Sequence, residues 1–269
     1  MQDPHSKNKP TQTNQSSDKL LTMIEVMAEN PGPMRLQDIA ACCNTNSTTA
    51  LRFITALQRK NYVAQEIDTG RYYLTLKLCA IGQSISQYMD IRAVSLPFLR
   101  GTSQLFRESC NLAIANDHSI MYIETANSPN QTLLSTQRIG NVAPMHCTGI
   151  GKLILSDYSP AELERFVTAK TLPRLTDFTI TDQQALSDEL EQIRRQGYAF
   201  DNEECEVGAR CIAAPIRDYT GRVIAGISVA GPAVRMTDEH IYQHLPYLLD
   251  TARQISIRMG WLEAEHSNA

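Results

Sequence analysis

Residues 36–60, LQDIAACCNTNSTTALRFITALQRK, decide the fold of the N-terminal part of the chain. Their first third predicts a short helix, because apolar side chains recur there at helical spacing: Leu36, Ile39, Ala40 and Cys43. Asn44 tolerates the left-handed conformation that ends many helices, and Asn46 can cap a second helix from Ser47 to about Lys60. The buried stripe of this second helix is predicted to be Ala50, Phe53, Ile54 and Leu57.

The flanking residues extend this helix pair to a winged helix-turn-helix. Upstream, capping residues 16–18 start a helix that ends at the breaker Asn30-Pro31-Gly32-Pro33. Downstream, residues 62–64 and 72–74 are predicted strands, with a turn at Asp68-Thr69-Gly70 between them. We therefore predict a winged helix-turn-helix over residues 17–78, followed by a connector helix over residues 79–92. Residues 1–16, whose only apolar side chain is Met1, predict a disordered tail.

The charge distribution weakly supports a nucleic-acid partner for this first domain. The whole chain has a net charge of −4, but residues 1–75 hold 8 basic and 7 acidic side chains. The region from Ile39 to Gln65 contains three basic residues and no acidic residue. A small basic module can sit on an acidic body, so the overall charge does not exclude DNA binding.

The second helix of the pair is the strongest candidate for reading DNA. A recognition helix needs an apolar side and short polar or basic side chains near its N-terminus, where free N–H groups also favour phosphates. An ordinary solvated helix face, and for Arg71 a solvated turn arginine, are the alternatives. The predicted DNA-binding residues are Ser47, Thr48, Thr49, Arg52, Arg59 and, beside the wing turn, Arg71.

The remaining chain predicts a mixed α+β domain over residues 93–269. Short apolar runs typical of strands cover residues 112–115, 121–125, 211–217 and 223–230. Helical patterns cover residues 94–106, 149–156, 161–169, 183–196 and 237–259. No apolar run approaches the roughly 18 residues that would span a bilayer.

The cysteine spacing and the absence of enzyme motifs argue against a disulfide framework, a metal site and catalysis. Seven cysteines without regular spacing favour reduced thiols in a cytosol over a disulfide framework. His146 and Cys147, with Cys205 and Cys211, invite a metal site, but no common zinc spacing is present and buried thiols are favoured. The segment ending in Gly151-Lys152 is not a P-loop, and no nucleophile elbow is present. We predict no catalytic residue, no metal and no cofactor.

Several motifs in order resemble the IclR family of bacterial regulators. The first domain matches at LQDIA (36–40), STTALR (47–52), Leu57, Tyr62-Val63 and GRYYL (70–74). The second matches at PMHCTGIGK (144–152), DNEE (201–204), GARCIAAP (208–215), GRV (221–223) and ISVAGP (227–232). Asn44, Ser47 and Leu51 depart from the residues usual in the family, which leaves the operator sequence open.

The resemblance implies a GAF-like second domain, an antiparallel sheet flanked by helices that binds a small organic acid or related metabolite. It also implies a double-stranded DNA operator and a homodimer, in some members assembled into a homotetramer. The implied effector-binding residues are Gly149, Ile150, Asp201, Ala209, Cys211, Ser228 and Ala230. Asp201 could instead cap the following loop. The rival hypothesis is a GAF-like metal or redox sensor, or a small-molecule enzyme, in which the winged helix serves only as an interaction module.

Overall fold

The computed structural model describes residues 15–30, 32–86, 90–128, 138–169 and 172–262. The chain divides into two compact units, Met1–Tyr88 and Met89–Ala269. Most of the predicted tail, residues 1–14, lies outside the described residues, but residues 15 and 16 belong to the first helix. That helix therefore starts slightly earlier than predicted, as helix ends often do by one or two residues.

The first unit consists of a three-helix cluster, a short hairpin and a fourth helix. The helices are α1 (Gln15–Glu29), α2 (Leu36–Cys42), α3 (Ser47–Arg59) and α4 (Lys77–Ser86), and the strands are β1 (Val63–Gln65) and β2 (Tyr72–Leu74). The two strands are antiparallel, and Met34 adds an isolated bridge to Tyr72. This order of elements is that of a winged helix-turn-helix.

A small apolar core holds the three helices of this unit together. Met23, Ile39, Ala50 and Ile54 are completely buried. Burial of each large side chain contributes about 1.5–3 kcal/mol, so these residues fix how α1, α2 and α3 cross. The face of α3 opposite this core is left in solvent.

The second unit is built on a six-stranded antiparallel sheet with strand order β5-β4-β3-β8-β7-β6. Its strands are β3 (Ser109–Asn116), β4 (Ser119–Ala126), β5 (Val142–Pro144), β6 (Ala199–Asn202), β7 (Ala209–Arg217) and β8 (Val223–Pro232). Its helices are α5 (Ile91–Phe106), α6 (Gly149–Ser156), α7 (Pro160–Ala169), α8 (Gln183–Gln196) and α9 (Asp238–Arg258). A single 3-10 turn, Met145–Cys147, precedes α6.

Two apolar cores lie on opposite faces of this sheet. Side chains of α5 and α9 form one core with Ile212, Ile227 and Val229. Side chains of α6 and α8 form the other with Ala199 and Ala213. The sheet is therefore covered on both faces, and the α6 face holds the residues predicted to bind the effector.

The region between the two units differs in detail from the predicted connector helix over residues 79–92. Helix α4 ends at Ser86, residues 87–89 lie outside the described residues, and Asp90 caps a new helix through the amide of Arg92 at 2.9 Å. Within the described parts of the chain, no helix is long and apolar enough to cross a membrane.

Candidate functional site

Helix α3 presents its polar side to solvent at the point where the sequence predicted a reading surface. The Asn46 side chain accepts a hydrogen bond from the Thr49 amide at 2.8 Å and so caps the helix. Ser47 and Thr48 are exposed, Thr49 is half-buried and Arg52 is exposed. The cap thus fixes the helix start while leaving its first-turn hydroxyls free to meet a partner.

The exposed side of α3 also carries a line of unpaired basic groups. Thr48, Arg52 and Arg59 lie at spacings of four and seven residues, which places them on one stripe of the helix. Among the described residues, the guanidinium groups of Arg52 and Arg59 form no hydrogen bond or ion pair. Leu51 is 44% exposed beside them. The stripe therefore has the chemistry of a surface that contacts DNA.

The hairpin wing closes in a tight turn and is less basic than α3. The Glu66 amide donates to the Arg71 carbonyl at 2.8 Å and Gly70 takes a positive φ of 68°, which closes the turn. Arg71 is exposed, but the tip also carries Asp68 and the fully exposed Ile67. Any phosphate contact by the wing consequently rests on Arg71.

A depression beside the start of α3 adds residues that the sequence did not indicate. It has a volume of about 550 Å³ and is lined by Lys19, Ala40, Ala41, Asn44, Thr45, Asn46 and Thr49. Lys19 belongs to α1, and only the crossing of α1 over the helix pair brings its ammonium here. No periodicity within α1 predicts this placement.

The strand register brings the predicted effector residues of the sheet onto a single face. Asp201 pairs with Cys211, Cys211 with Ala230, and Ala230 with Ser109, so these four side chains form a row across β6, β7, β8 and β3. Directly paired residues point to the same side of a sheet. The row lies beside the start of α6. Gly149 is the first residue of that helix, and a Cβ at this position would be only 3.1 Å from Cys211 Sγ.

A second row runs parallel to the first and is also polar. Ser228 pairs with Ala213 on one side and with Asn111 on the other. Asn111 is completely buried, and its side-chain oxygen accepts a hydrogen bond from the Thr125 hydroxyl at 3.1 Å. Asn111 could not be predicted from the sequence, because nothing within a single apolar strand shows that this asparagine faces Ser228.

Gly149 lies where α6 meets the sheet. A Cβ there would lie 3.0 Å from Ala213 Cβ and 3.1 Å from Cys211 Sγ. The Gly149 amide also donates to Cys211 Sγ. The glycine therefore lets α6 pack closely onto the sheet. Ile150 is likewise buried against Gly226, and Ala209 is half-buried at the start of β7.

Asp201 does form the loop cap that the sequence offered as an alternative. Its Oδ1 accepts from the amides of Glu204 at 2.9 Å and Cys205 at 3.3 Å. Burial, with a smaller effect from the Glu204 carboxylate, raises the pKa of Asp201 to about 7. The carboxyl group is thus held at the edge of the site in a state that protonates near neutral pH.

A buried ion pair, which the sequence analysis did not identify, links this loop to α6. Lys152 is 1% exposed, and its Nζ lies 2.5 Å from Glu204 Oε1 and 2.9 Å from Glu189 Oε1. Burial lowers the pKa of Lys152, but the two carboxylates outweigh burial and raise it. Among the described residues, Glu204 Oε2 has no hydrogen-bond partner. The pair fixes the loop after Asp201 against the first turns of α6.

His146 and Cys147 are buried just before α6. The His146 ring nitrogen Nε2 lies 3.1 Å from the Pro173 carbonyl oxygen, and burial lowers the pKa of the imidazole. In the described ranges, no group of three or more His, Cys, Asp or Glu side chains is arranged to hold a metal ion. The seven cysteines are all free thiols.

Comparison with known proteins gives matches over both units. The family model for the IclR helix-turn-helix domain matches residues 16–66, and the model for the bacterial transcriptional regulator IclR C-terminal domain matches residues 78–257. The transcriptional regulator KdgR of Escherichia coli is 37% identical over 217 residues, which cover 80% of this chain and 82% of KdgR. BhcR of Paracoccus denitrificans is 31% identical over 243 residues, covering 90% and 86%. The crystal structure of Thermotoga maritima IclR superposes with a TM-score of 0.62 at 29% identity, covering 92% of this chain and 99% of that one.

Proposed function

The chain belongs to the IclR family of bacterial transcriptional regulators, and on that premise we propose how its two units divide the work. It is a DNA-binding regulator, as are the relatives it matches, and those relatives are not enzymes. In this proposal α3 enters the major groove of an operator, and the second unit binds an organic acid that alters operator affinity. We place this activity in the cytoplasm, with the DNA.

One observation supports the DNA contact above all others: the stripe of α3 that combines exposed polar side chains with unpaired guanidinium groups. Ser47, Thr48, Thr49 and Arg52 lie within the first two turns, which is the part of a recognition helix that contacts base edges. Arg59 is twelve residues beyond Ser47, about 18 Å at 1.5 Å per residue. We therefore assign base contacts to the helix start, and phosphate contacts to Arg59 and, on the wing, Arg71.

The proposed effector site is the polar part of the sheet face that α6 covers, beside the start of that helix. Ser228 is 3% exposed and can donate one hydrogen bond, and Asp201 offers acceptor oxygens in the neighbouring row. Cys211 and Ala230 lie in the row of Asp201, Gly149 and Ile150 pack on the same face from α6, and Ala209 starts the strand that carries Cys211. The effector changes operator binding only if it has different affinities for two arrangements of the protein.

We propose that the regulator acts as a homodimer, which could assemble further into a homotetramer. Palindromic operators reflect the two-fold symmetry of the proteins that bind them. Helix α4 supports the proposal, because it carries the apolar residues Leu78, Ile81 and Ile85 at helical spacing, and Ile85 is 54% exposed. Substituting Ile81→Glu should lower the mass measured by light scattering to that of a monomer, whereas the neighbouring control Gln83→Glu should not.

The DNA-binding part is tested by selecting operator sequences from random DNA with the full chain. Binding of the selected duplex is then compared between the wild type, Arg52→Ala and the control Arg195→Ala, which alters an exposed arginine of the second unit. We expect only Arg52→Ala to weaken binding. Equal affinities for all three proteins would show that α3 is not the reading surface.

A further inference from the structure

Three arginine side chains line a pocket at the far end of α6 from the proposed effector site. The pocket has a volume of about 400 Å³ and includes Ser156 and Asp157, where α6 ends. Arg194 reaches it from α8, Arg217 from the last position of β7, and Arg222 from the turn before β8. Three separate elements of the second unit thus bring positive charge to one cavity.

The two carboxylates of this pocket already have structural partners. Asp157 Oδ1 accepts a hydrogen bond from Arg217 Nη1 at 3.0 Å, and its Oδ2 accepts from the Val223 amide, also at 3.0 Å. Glu162 Oε2 accepts from the amide and the hydroxyl of Ser159, both at 2.8 Å, which caps the start of α7. These hydrogen bonds from Ser159 lower the pKa of Glu162 to about 2, so it stays ionised.

The three arginines keep N–H donors that the protein does not use. Arg194 Nε donates to the Ser156 carbonyl oxygen, and Arg222 Nη2 donates to Glu162 Oε1 at 3.3 Å. Within the described ranges, both terminal nitrogens of Arg194, Nη2 of Arg217 and Nη1 of Arg222 have no hydrogen-bond partner. The bonds that are present hold each guanidinium group in place, and the remaining donors are available to a ligand.

The charge and the shape of the pocket fit a small anion with several oxygens. Three guanidinium groups face two carboxylates, which leaves one positive charge in excess. Guanidinium groups bind the oxygens of phosphates and carboxylates through paired N–H donors. A phosphomonoester has three free oxygens and nearly two negative charges, so it can meet three arginines at once, whereas a carboxylate has two oxygens. Leu153, Ile193 and Pro215 add apolar surface for the carbon part of such a molecule.

We propose that this pocket is a second ligand site, which binds the phosphate group of a small phosphorylated metabolite. The free N–H groups of Arg194, Arg217 and Arg222 donate to the phosphate oxygens. Because the ligand binds the folded protein, it raises the Tm. The inference goes beyond the proposed function, since phosphate binding can be measured without the operator and without the organic acid.

The test is calorimetric titration of the full chain with glycerol 3-phosphate in a phosphate-free buffer. We expect saturable binding with a Kd below about 1 mM, whereas glycerol, and sodium chloride at equal ionic strength, should give no such signal. Arg194→Met and Arg222→Ala should each weaken binding by about tenfold or more, because each removes charged donors. Arg195→Ala, which changes the exposed neighbour of Arg194 on α8, is the matched control and should leave the Kd unchanged.

Two results would overturn the proposal. One is that glycerol 3-phosphate does not bind at about 10 mM, or binds the wild type, Arg194→Met and Arg222→Ala equally well. The other is that Arg52→Ala loses the binding while both pocket variants keep it, which would place the phosphate on α3. Arg222 is 57% exposed, so Arg222→Ala should stay folded, and the Tm of each variant without ligand checks this. Neither result tests operator recognition, so failure here is distinguishable from failure of the proposed function.

Discussion

Replacing Asp201 by asparagine should stabilise the protein above neutral pH, although Asp201 belongs to the proposed site. Asp201 is only 7% exposed, and its pKa of about 7 exceeds the ordinary value for aspartate. Asparagine keeps an oxygen that can accept from the amides of Glu204 and Cys205 and has no charge to bury.

The sign and size of the effect follow from proton binding. Between about pH 4 and pH 7 the folded protein keeps a proton on Asp201 that the unfolded chain releases, so this contribution to stability is complete below pH 4 and lost as the pH rises through 7. A shift of about three pKa units corresponds to about 4 kcal/mol. Loss of the charged hydrogen bonds offsets part of this, so we expect Asp201→Asn to gain about 2–4 kcal/mol at pH 8, or a Tm higher by about 5–10 °C.

The assay is calorimetric unfolding of the wild type and Asp201→Asn at pH values from 5 to 8. Asp188→Asn, on the exposed face of α8, is the matched control and should leave both Tm and its pH dependence unchanged. If Asp201→Asn melted below the wild type at pH 8, or if both proteins lost stability equally between pH 5 and 8, Asp201 would not bind a proton in the folded protein as described.

Three further predictions concern the DNA surface and the site. Arg52→Ala should weaken binding to a selected operator by about 1–3 kcal/mol and relax specificity at one base position. Fluorescence anisotropy measures both effects. An unchanged operator affinity in a folded variant would show that Arg52 does not contact the operator. Ser228→Ala should weaken the binding of an acid identified by thermal-shift screening by roughly 0.5–1.5 kcal/mol, while its operator affinity without the acid stays unchanged. If calorimetry shows that Ser228→Ala binds the acid as tightly as the wild type, the pocket lies elsewhere. Gly149→Val should instead lower the Tm, because the added side chain would meet Ala213 and Cys211. Lys152→Met should destabilise the second unit by about 3–5 kcal/mol in denaturant titrations, because Glu204 is left charged and buried. The double variant Lys152→Met/Glu204→Gln should recover part of this loss. If it recovers none, the loss comes from packing and not from the buried charge.

The elements of the first unit could be predicted because each has a strong local signal. The stripe of Ala50, Ile54 and Leu57 and the cap at Asn46 define α3, and both are present in the structure. The position of Lys19 beside that helix could not be predicted, because it depends on how α1 crosses the other two helices. Periodicity describes which face of a helix is buried, but it does not fix the crossing angle.

The second unit shows where local patterns stop being informative. The short edge strands β5 and β6 were missed, since three or four residues give too little alternation to recognise. Lys152 lies in the first turn of α6 and would be assigned to solvent on residue type alone, yet it is buried between two carboxylates. Its partners are 37 and 52 residues away in sequence, so only the folded structure reveals the pair.

We propose that the protein binds a specific operator and changes that binding when its second unit is occupied. To test this, the operator Kd of the full chain is measured by anisotropy with and without each sugar acid or 2-keto acid that raises its Tm. At least one such acid should change the Kd by about fivefold or more, the lower end of usual allosteric coupling. An operator Kd that stays the same with every acid that stabilises the protein would rule out this regulation.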